Sequence, residues 1–183
     1  MVNTRISPLV KLLDTALVPE VLTHPSDLVK LGVKGPGLDE WARRCDIALP
    51  EALYDTLPVG RDGVLARVGS GELILECAAD DPLLGRFAEA LQAADGEVYR
   101  IEQQSVTVVL SGECALGILA QTCGVDFAAE SVGRIVYTRV AGAACAVLPR
   151  EEDGQRAYRL WVDYSLAPYL WETLAEIALD LRF

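Results

Sequence analysis

The segment Val106–Cys123, VTVVLSGECALGILAQTC, repeats the outline of Val29–Cys45, VKLGVKGPGLDEWARRC. In both, three alternating apolar residues lead to a glycine, and an apolar-striped stretch then ends in cysteine. Gly35 and Gly112 lie 77 positions apart, and the same offset sets Val29 on Val106, Leu31 on Val108 and Val33 on Leu110. Alternation before the glycine predicts a strand. The i, i+3, i+4, i+7 stripe of Leu38, Trp41, Ala42 and Cys45 after it predicts a helix. A second echo follows, since LILECAADDPLLGRFAEAL parallels YRLWVDYSLAPYLWETL, with Leu91 falling on Leu174. Four elements recurring in one order predict a duplicated α+β fold. Its two fused ferredoxin-like units would each bury one helix layer against an antiparallel sheet. The echo is structural and names no chemistry.

The rest of the chain fits that frame. GVLARVGSGELILEC places two apolar runs around a Gly-Ser-Gly, which predicts a β-hairpin. Asp81 and Pro82 open the next helix as cap and first-turn residue. EVYRIEQQSVTVVLSG predicts two strands, GRIVYTRVAGAACAVLP two more about a Gly-Ala turn, RAYRLWVD another, and SLAPYLWETLAEIALDL a closing helix. IALPEALYDTLPVGRDG reads as a loop with one helical turn at Glu51–Tyr54, and REEDGQ as an exposed loop. The order is β-α-β-β-α-β followed by β-α-β-β-β-α, with the halves meeting near Gln103–Gln104. The boundaries are an N-terminal arm over 1–26, a first α+β half over 27–103 and a second over 104–183, together one compact folding unit. The arm, with its scattered prolines, reads as an extended lead-in that a partner could cover.

Composition limits function more than it identifies it. A formal net charge of −11 argues against nucleic acid or an anionic membrane as partner; the charge follows from 27 acidic and 16 basic residues. No window holds 18 uninterrupted apolar residues, and the N-terminus lacks the apolar core of a secretory leader, so the expectation is a cytoplasmic protein. Hydrophobic residues make up 51% of the chain. That is a surplus which either a large core or a buried subunit interface would absorb.

Searching for chemistry returns little. His24 is the only histidine, which leaves no histidine-based zinc, di-iron or haem site and no Ser-His-Asp arrangement that avoids it. Its loop position between Thr23 and Pro25 favours a solvated or capping role. GVKGPG is not a dinucleotide fingerprint, and in GSGELI Ile74 stands where the third glycine belongs, inside a hairpin. Cys45, Cys77, Cys114, Cys123 and Cys145 show no CxxC spacing and read as small core residues. Cys123, at a helix end before Gly124, is the one worth testing for reactivity. Two polar patches stand out: RIEQQS at Arg100–Ser105, and VDYSLAPYLW, where Ser165 reads as the cap of the last helix and Asp163 precedes it. No catalytic, cofactor-binding or metal-binding residue is assigned.

The pieces LSG at Leu110–Gly112, LAQTCGVDF at Leu119–Phe127 and VDYSLAPYLW at Val162–Trp171 make this chain similar to the gamma subunit of heterotetrameric sarcosine oxidase. The resemblance runs from about Leu28 to Leu174. That family shares the folate-binding-domain fold of the glycine-cleavage T protein. The resemblance implies a non-catalytic structural subunit of a complex that oxidatively demethylates sarcosine to glycine, with tetrahydrofolate as one-carbon acceptor. It implies alpha, beta and delta subunits as partners, and places FAD, FMN, NAD, tetrahydrofolate and zinc on them instead of on this chain. The chain departs from its relatives at IEQQS, where two glutamines separate Glu102 from Ser105. No carboxylate here is matched to the one that contacts the pterin in folate-binding relatives. The alternative is a stand-alone tetrahydrofolate-binding protein of the T-protein type.

Overall fold

A computed structural model describes residues 7–13, 20–152 and 154–181. Internal contacts divide the chain into two compact units. The first is Ser26–Gln103. The second begins at Gln104 and also takes in the described residues before Ser26, 7–13 and 20–25.

The first unit contains β2 (Leu28–Lys34), α2 (Leu38–Arg44), β3 (Thr56–Val59), β4 (Gly63–Gly69), β5 (Glu72–Ala78), α3 (Pro82–Gln92) and β6 (Tyr99–Ile101). They form an antiparallel sheet in the order β3-β4-β5-β2-β6. The second unit contains α1 (Val10–Leu13), β1 (Leu22–Thr23), β7 (Ser105–Ser111), α4 (Ala115–Thr122), β8 (Val136–Val140), β9 (Ala143–Glu152), β10 (Gln155–Asp163) and α5 (Ala167–Asp180). Its sheet is also antiparallel and runs β8-β9-β10-β7-β1. The two orders correspond strand for strand. The α+β class, with five-stranded antiparallel sheets and helices on one face of each, is therefore as the repeated pattern implies.

Register extends the match. Leu31 pairs with Leu75 and Val33 with Leu73, while Val108 pairs with Leu160 and Leu110 with Tyr158. Residues 77 apart on β2 and β7 thus meet equivalent partners on β5 and β10, which are themselves 85 apart (Leu75 and Leu160, Leu73 and Tyr158). The edge strands add a twist to this symmetry. β1 precedes β2 in the chain but pairs with β7, at Leu22↔Leu110 and Thr23↔Val109. β6 precedes β7 but pairs with β2. β1, just before Ser26, thus closes the sheet of the second unit, and β6, just before Gln104, closes that of the first.

Each helix layer covers an apolar core. In the first unit Leu31, Val33, Leu65, Leu73 and Leu75 meet Leu38, Trp41, Leu84 and Phe87. Asp81 accepts a hydrogen bond from the Leu83 amide at 2.9 Å and Pro82 occupies the first turn, as the Asp-Pro pair predicts. In the second unit Val106, Val108, Leu110, Tyr158, Leu160 and Val162 meet Ile118, Leu119, Leu170, Trp171 and Leu174. Leu9, Val21 and Leu22, from the stretch read as an arm, are buried in this second core.

Some local readings need correction. The stretch read as a loop with a helical turn holds β3. Glu51–Tyr54 is a non-helical turn, with Tyr54 at φ 73. β3 is short and contains Pro58, so it shows no alternation to read. The acidic run at 150–155 is less a loop than a hairpin tip, since Gln155 already pairs with Glu152. At the start of β2 Leu28 is half-exposed, while Leu31 and Val33 further along are buried. The two glycines that the echo aligns also do different jobs. A Cβ on Gly35 would stand 2.1 Å from the Glu97 carbonyl oxygen, so only glycine fits. Gly112 has open space but adopts φ 82.

Candidate functional site

The residues singled out from sequence are spread over both units. His24 continues the short β1–β7 pairing: its Nδ1 lies 2.7 Å from the Thr107 carbonyl oxygen. A carbonyl can only accept, so Nδ1 carries the proton and the ring acts as a side-chain extension of the ladder.

The two polar patches are neighbours at one end of the sheet. Ser105 pairs with Asp163 across β7 and β10, and the Tyr164 amide donates to the Gln104 carbonyl at 3.0 Å. Ser165 does not cap α5. The helix is capped by Leu166 without a side-chain hydrogen bond. Instead Asp163 Oδ1 accepts from the Ser165 amide at 2.9 Å and from its hydroxyl at 2.5 Å. Those two bonds, the hydroxyl's first, hold the Asp163 carboxyl below its ordinary value. A depressed folded-state pKa contributes stability above the unfolded-state value and loses it as pH falls through the folded one. Thermal unfolding followed through the acid range should therefore show Asp163→Asn less sensitive than wild type below about pH 4. Equal acid sensitivity in both proteins would count against this bond pair. Glu102 is exposed and joins no such cluster.

All five cysteines are free thiols. Cys77 and Cys145 are buried, and burial pushes them up to about 12 and about 11. Cys45, Cys114 and Cys123 are half-buried and pack against the two cores. Cys123 sits at the end of α4 with its Sγ 3.5 Å from Thr138 Oγ1. Thiolate is the reactive form, so native labelling at pH 8 should modify Cys45, Cys114 and Cys123 before Cys77 and Cys145, as read by peptide mass spectrometry.

At the far end of each sheet the duplication builds the same pocket twice. In the first unit Lys34, Gly35, Pro36, the β4–β5 hairpin tip and Tyr99 of β6 enclose about 570 Å³. There Lys34 Nζ lies 2.9 Å from Glu72 Oε2, and that hydrogen bond raises the lysine above its ordinary range. The second-unit equivalent encloses about 460 Å³ between Ser111–Cys114, the β9–β10 tip and Glu20–Val21 before β1. Both volumes suit a small ligand, but the chemistry does not concentrate there. Glu20, Glu113 and Glu152 face the second pocket. Among the described residues its one cation is Arg156, with a guanidinium nitrogen donating to the carbonyls of Phe127, Ala128 and Glu130 at 2.9, 3.3 and 3.2 Å. Arg156 thus pins the loop after α4. Among the described residues no three metal-ligating side chains converge.

Sequence reasoning overlooked the charged groups on the sheet faces turned away from the helices. Lys30 and Glu76 are cross-strand partners on β2 and β5, 3.2 Å apart, with side chains only 9% and 1% exposed. On β7 and β10 the same face buries Thr107, which lies opposite Trp161, and Arg159. A charge inside an alternating strand reads as solvent-facing, so no sequence signal marks these residues.

No family model matches the sequence, and no curated protein matches it either. Solved structures do resemble it. One is a chain of heterotetrameric sarcosine oxidase from Corynebacterium sp. U-96, in complex with pyrrole 2-carboxylate. It is 19% identical over 97% of this chain and 96% of its own, with a TM-score of 0.74. Another is glycine cleavage system aminomethyltransferase T from Bartonella henselae, 20% identical over 84% of this chain, with a TM-score of 0.60. The chain spans 44% of that enzyme's length. The likeness is one of fold, and it places the two sheets in the T-protein type expected from the sequence.

Proposed function

We propose that this chain is a non-catalytic structural subunit of gamma type in a cytoplasmic, sarcosine oxidase-like complex that oxidatively demethylates sarcosine to glycine. Alpha and beta subunits, with a delta subunit, would be its partners. They would carry the FAD, FMN, NAD, tetrahydrofolate and zinc that the chemistry uses. One observation carries the reading: the chain and its sarcosine oxidase neighbour match end to end, covering 97% of one and 96% of the other. A subunit with the same job would keep the same extent. The 51% hydrophobic composition and the dispersal of polar side chains among turns, caps and ion pairs support a scaffold over a catalyst. Among the described residues no helix is long and apolar enough to cross a membrane.

The fold match to the aminomethyltransferase favours one other reading, a stand-alone tetrahydrofolate-binding protein. The second-unit pocket fits that ligand poorly. Its glutamate tail is anionic, and Glu20, Glu113 and Glu152 would face it, while one guanidinium nitrogen of Arg156 is already shared among three carbonyls.

The deciding experiment is a pull-down of the tagged chain from its own cytoplasm, with an absorbance spectrum of the eluate. Flavin-bearing larger subunits in fixed stoichiometry would support the subunit reading. A lone colourless protein would reject it. Tetrahydrofolate at 100 times its Kd should then stabilise the chain by about 2.7 kcal/mol if the second reading holds.

A further inference from the structure

The two sheets have four edges, and three of them are guarded. β1 and β6 are two and three residues long, and β3 contains Pro58. Short strands and proline are the usual devices that keep an edge from pairing with another chain. β8 has neither. It is five residues, Val-Tyr-Thr-Arg-Val at Val136–Val140, with no lysine and no proline. Among the described residues β9 is the one strand that pairs with it.

The strand is nearly its own complement. Val136, Thr138 and Val140 alternate towards the helix-covered face, where Val136 and Val140 join the second core. Tyr137, 54% exposed, and Arg139, also exposed, lie on the other face. We infer that β8 is a docking edge for a second copy of this chain, paired antiparallel with Thr138 opposite Thr138 of that copy. In this register each Val136 meets a Val140, which continues the apolar face across the two-fold axis. Each Tyr137 meets an Arg139, setting a guanidinium against an aromatic ring twice by symmetry.

Charge distribution agrees with the choice of occupant. At a net charge of −11, most surfaces of this protein repel their own copies. Residues 131–150 contain no aspartate or glutamate, so pairing through β8 brings none of the strand's own carboxylates together. Of the arginines in that stretch, Arg150 reaches Glu152 at 3.8 Å, and Arg139 keeps donors beyond the one given to the Gly142 carbonyl.

The inference concerns the isolated chain and stands whether or not the proposed function does. Sedimentation equilibrium of the full chain across a wide concentration range should reveal a monomer–dimer equilibrium. Tyr137→Arg sets arginine against arginine and should weaken the dimer roughly tenfold or more. Adding Arg139→Glu to it restores opposite charges at both positions, and should recover dimerisation. The proposal is overturned if wild type is monomeric throughout, or if Tyr137→Arg leaves the dimer intact. It also fails if the double variant, folded by circular dichroism, stays monomeric. Should the variants not fold, hydrogen exchange on wild type decides. Amides of Val136–Val140 should gain protection as concentration rises, and unchanged protection would overturn the proposal.

Discussion

Replacing Trp41 with alanine should cost about 3–5 kcal/mol of stability, measured as a lower denaturation midpoint in urea. Trp41 is fully buried at the centre of the first core. It meets Phe87 edge-on, with ring centroids 5.7 Å apart, and its Nε1 donates to the Ala90 carbonyl at 3.2 Å. The substitution removes the largest side chain joining α2 to α3, and the sheet behind it, anchored by Leu31, Val33 and Leu73, has little freedom to collapse into the void. A loss below 1 kcal/mol would show that α2 packs elsewhere. Trp41→Phe separates the contributions: it keeps most of the volume, gives up the hydrogen bond to Ala90, and should cost markedly less.

The buried ion pair should respond differently to single and paired changes. Glu76→Leu leaves the Lys30 ammonium in a nearly water-free position on the sheet, and a loss of about 3–5 kcal/mol is expected. Changing both partners to apolar residues of similar size, Lys30→Met with Glu76→Leu, should recover most of that loss, because the desolvation cost disappears with the charges. The double-mutant cycle reads the difference as a coupling energy. Additive losses at the two positions would mean that each charge is stabilised mainly by groups other than its cross-strand neighbour.

Much of the fold was legible because the duplication repeats its strand–glycine–helix pattern. Alternation at Leu31 and Val33 and the helical stripe through Trp41 each hold locally, and each unit burying one helix layer follows from them. β1 was invisible for the opposite reason. It is two residues long, and what defines it is Leu110 and Val109, far along the chain. Non-local pairing leaves no periodic trace. β3 was hidden by Pro58, which breaks alternation at an edge strand that can tolerate it. At the candidate site, RIEQQS and VDYSLAPYLW each looked polar, but that Ser105 would lie against Asp163 depends on the β7–β10 register. Ser165 was misjudged because a hydroxyl just before a helix ordinarily caps it. Here the Asp163 carboxylate captures that hydroxyl first. Lys30 and Glu76 escaped notice because pattern reading equates charge with water, and a sheet buried on both faces breaks that equation.

The pairing of β1 with β7 also decides which unit is host and which is guest. The chain lays down β1, departs after Pro25, builds all of Ser26–Gln103, and returns at Gln104 to place β7 beside β1. β1 and β7 are thus the arms of a hairpin whose loop is an entire folded unit. The guest's first and last strands, β2 and β6, lie side by side, so it begins and ends at nearly one point, as insertions that fold alone usually do. Division between Gln103 and Gln104 leaves the guest whole but strips the host of Leu9, Val21 and Leu22 from its core. Bridging Pro25 to Gln104 with a tight turn instead lifts the guest out and leaves the host's sheet complete. Along the chain, the first unit's strands are thus an insertion between two strands of the second.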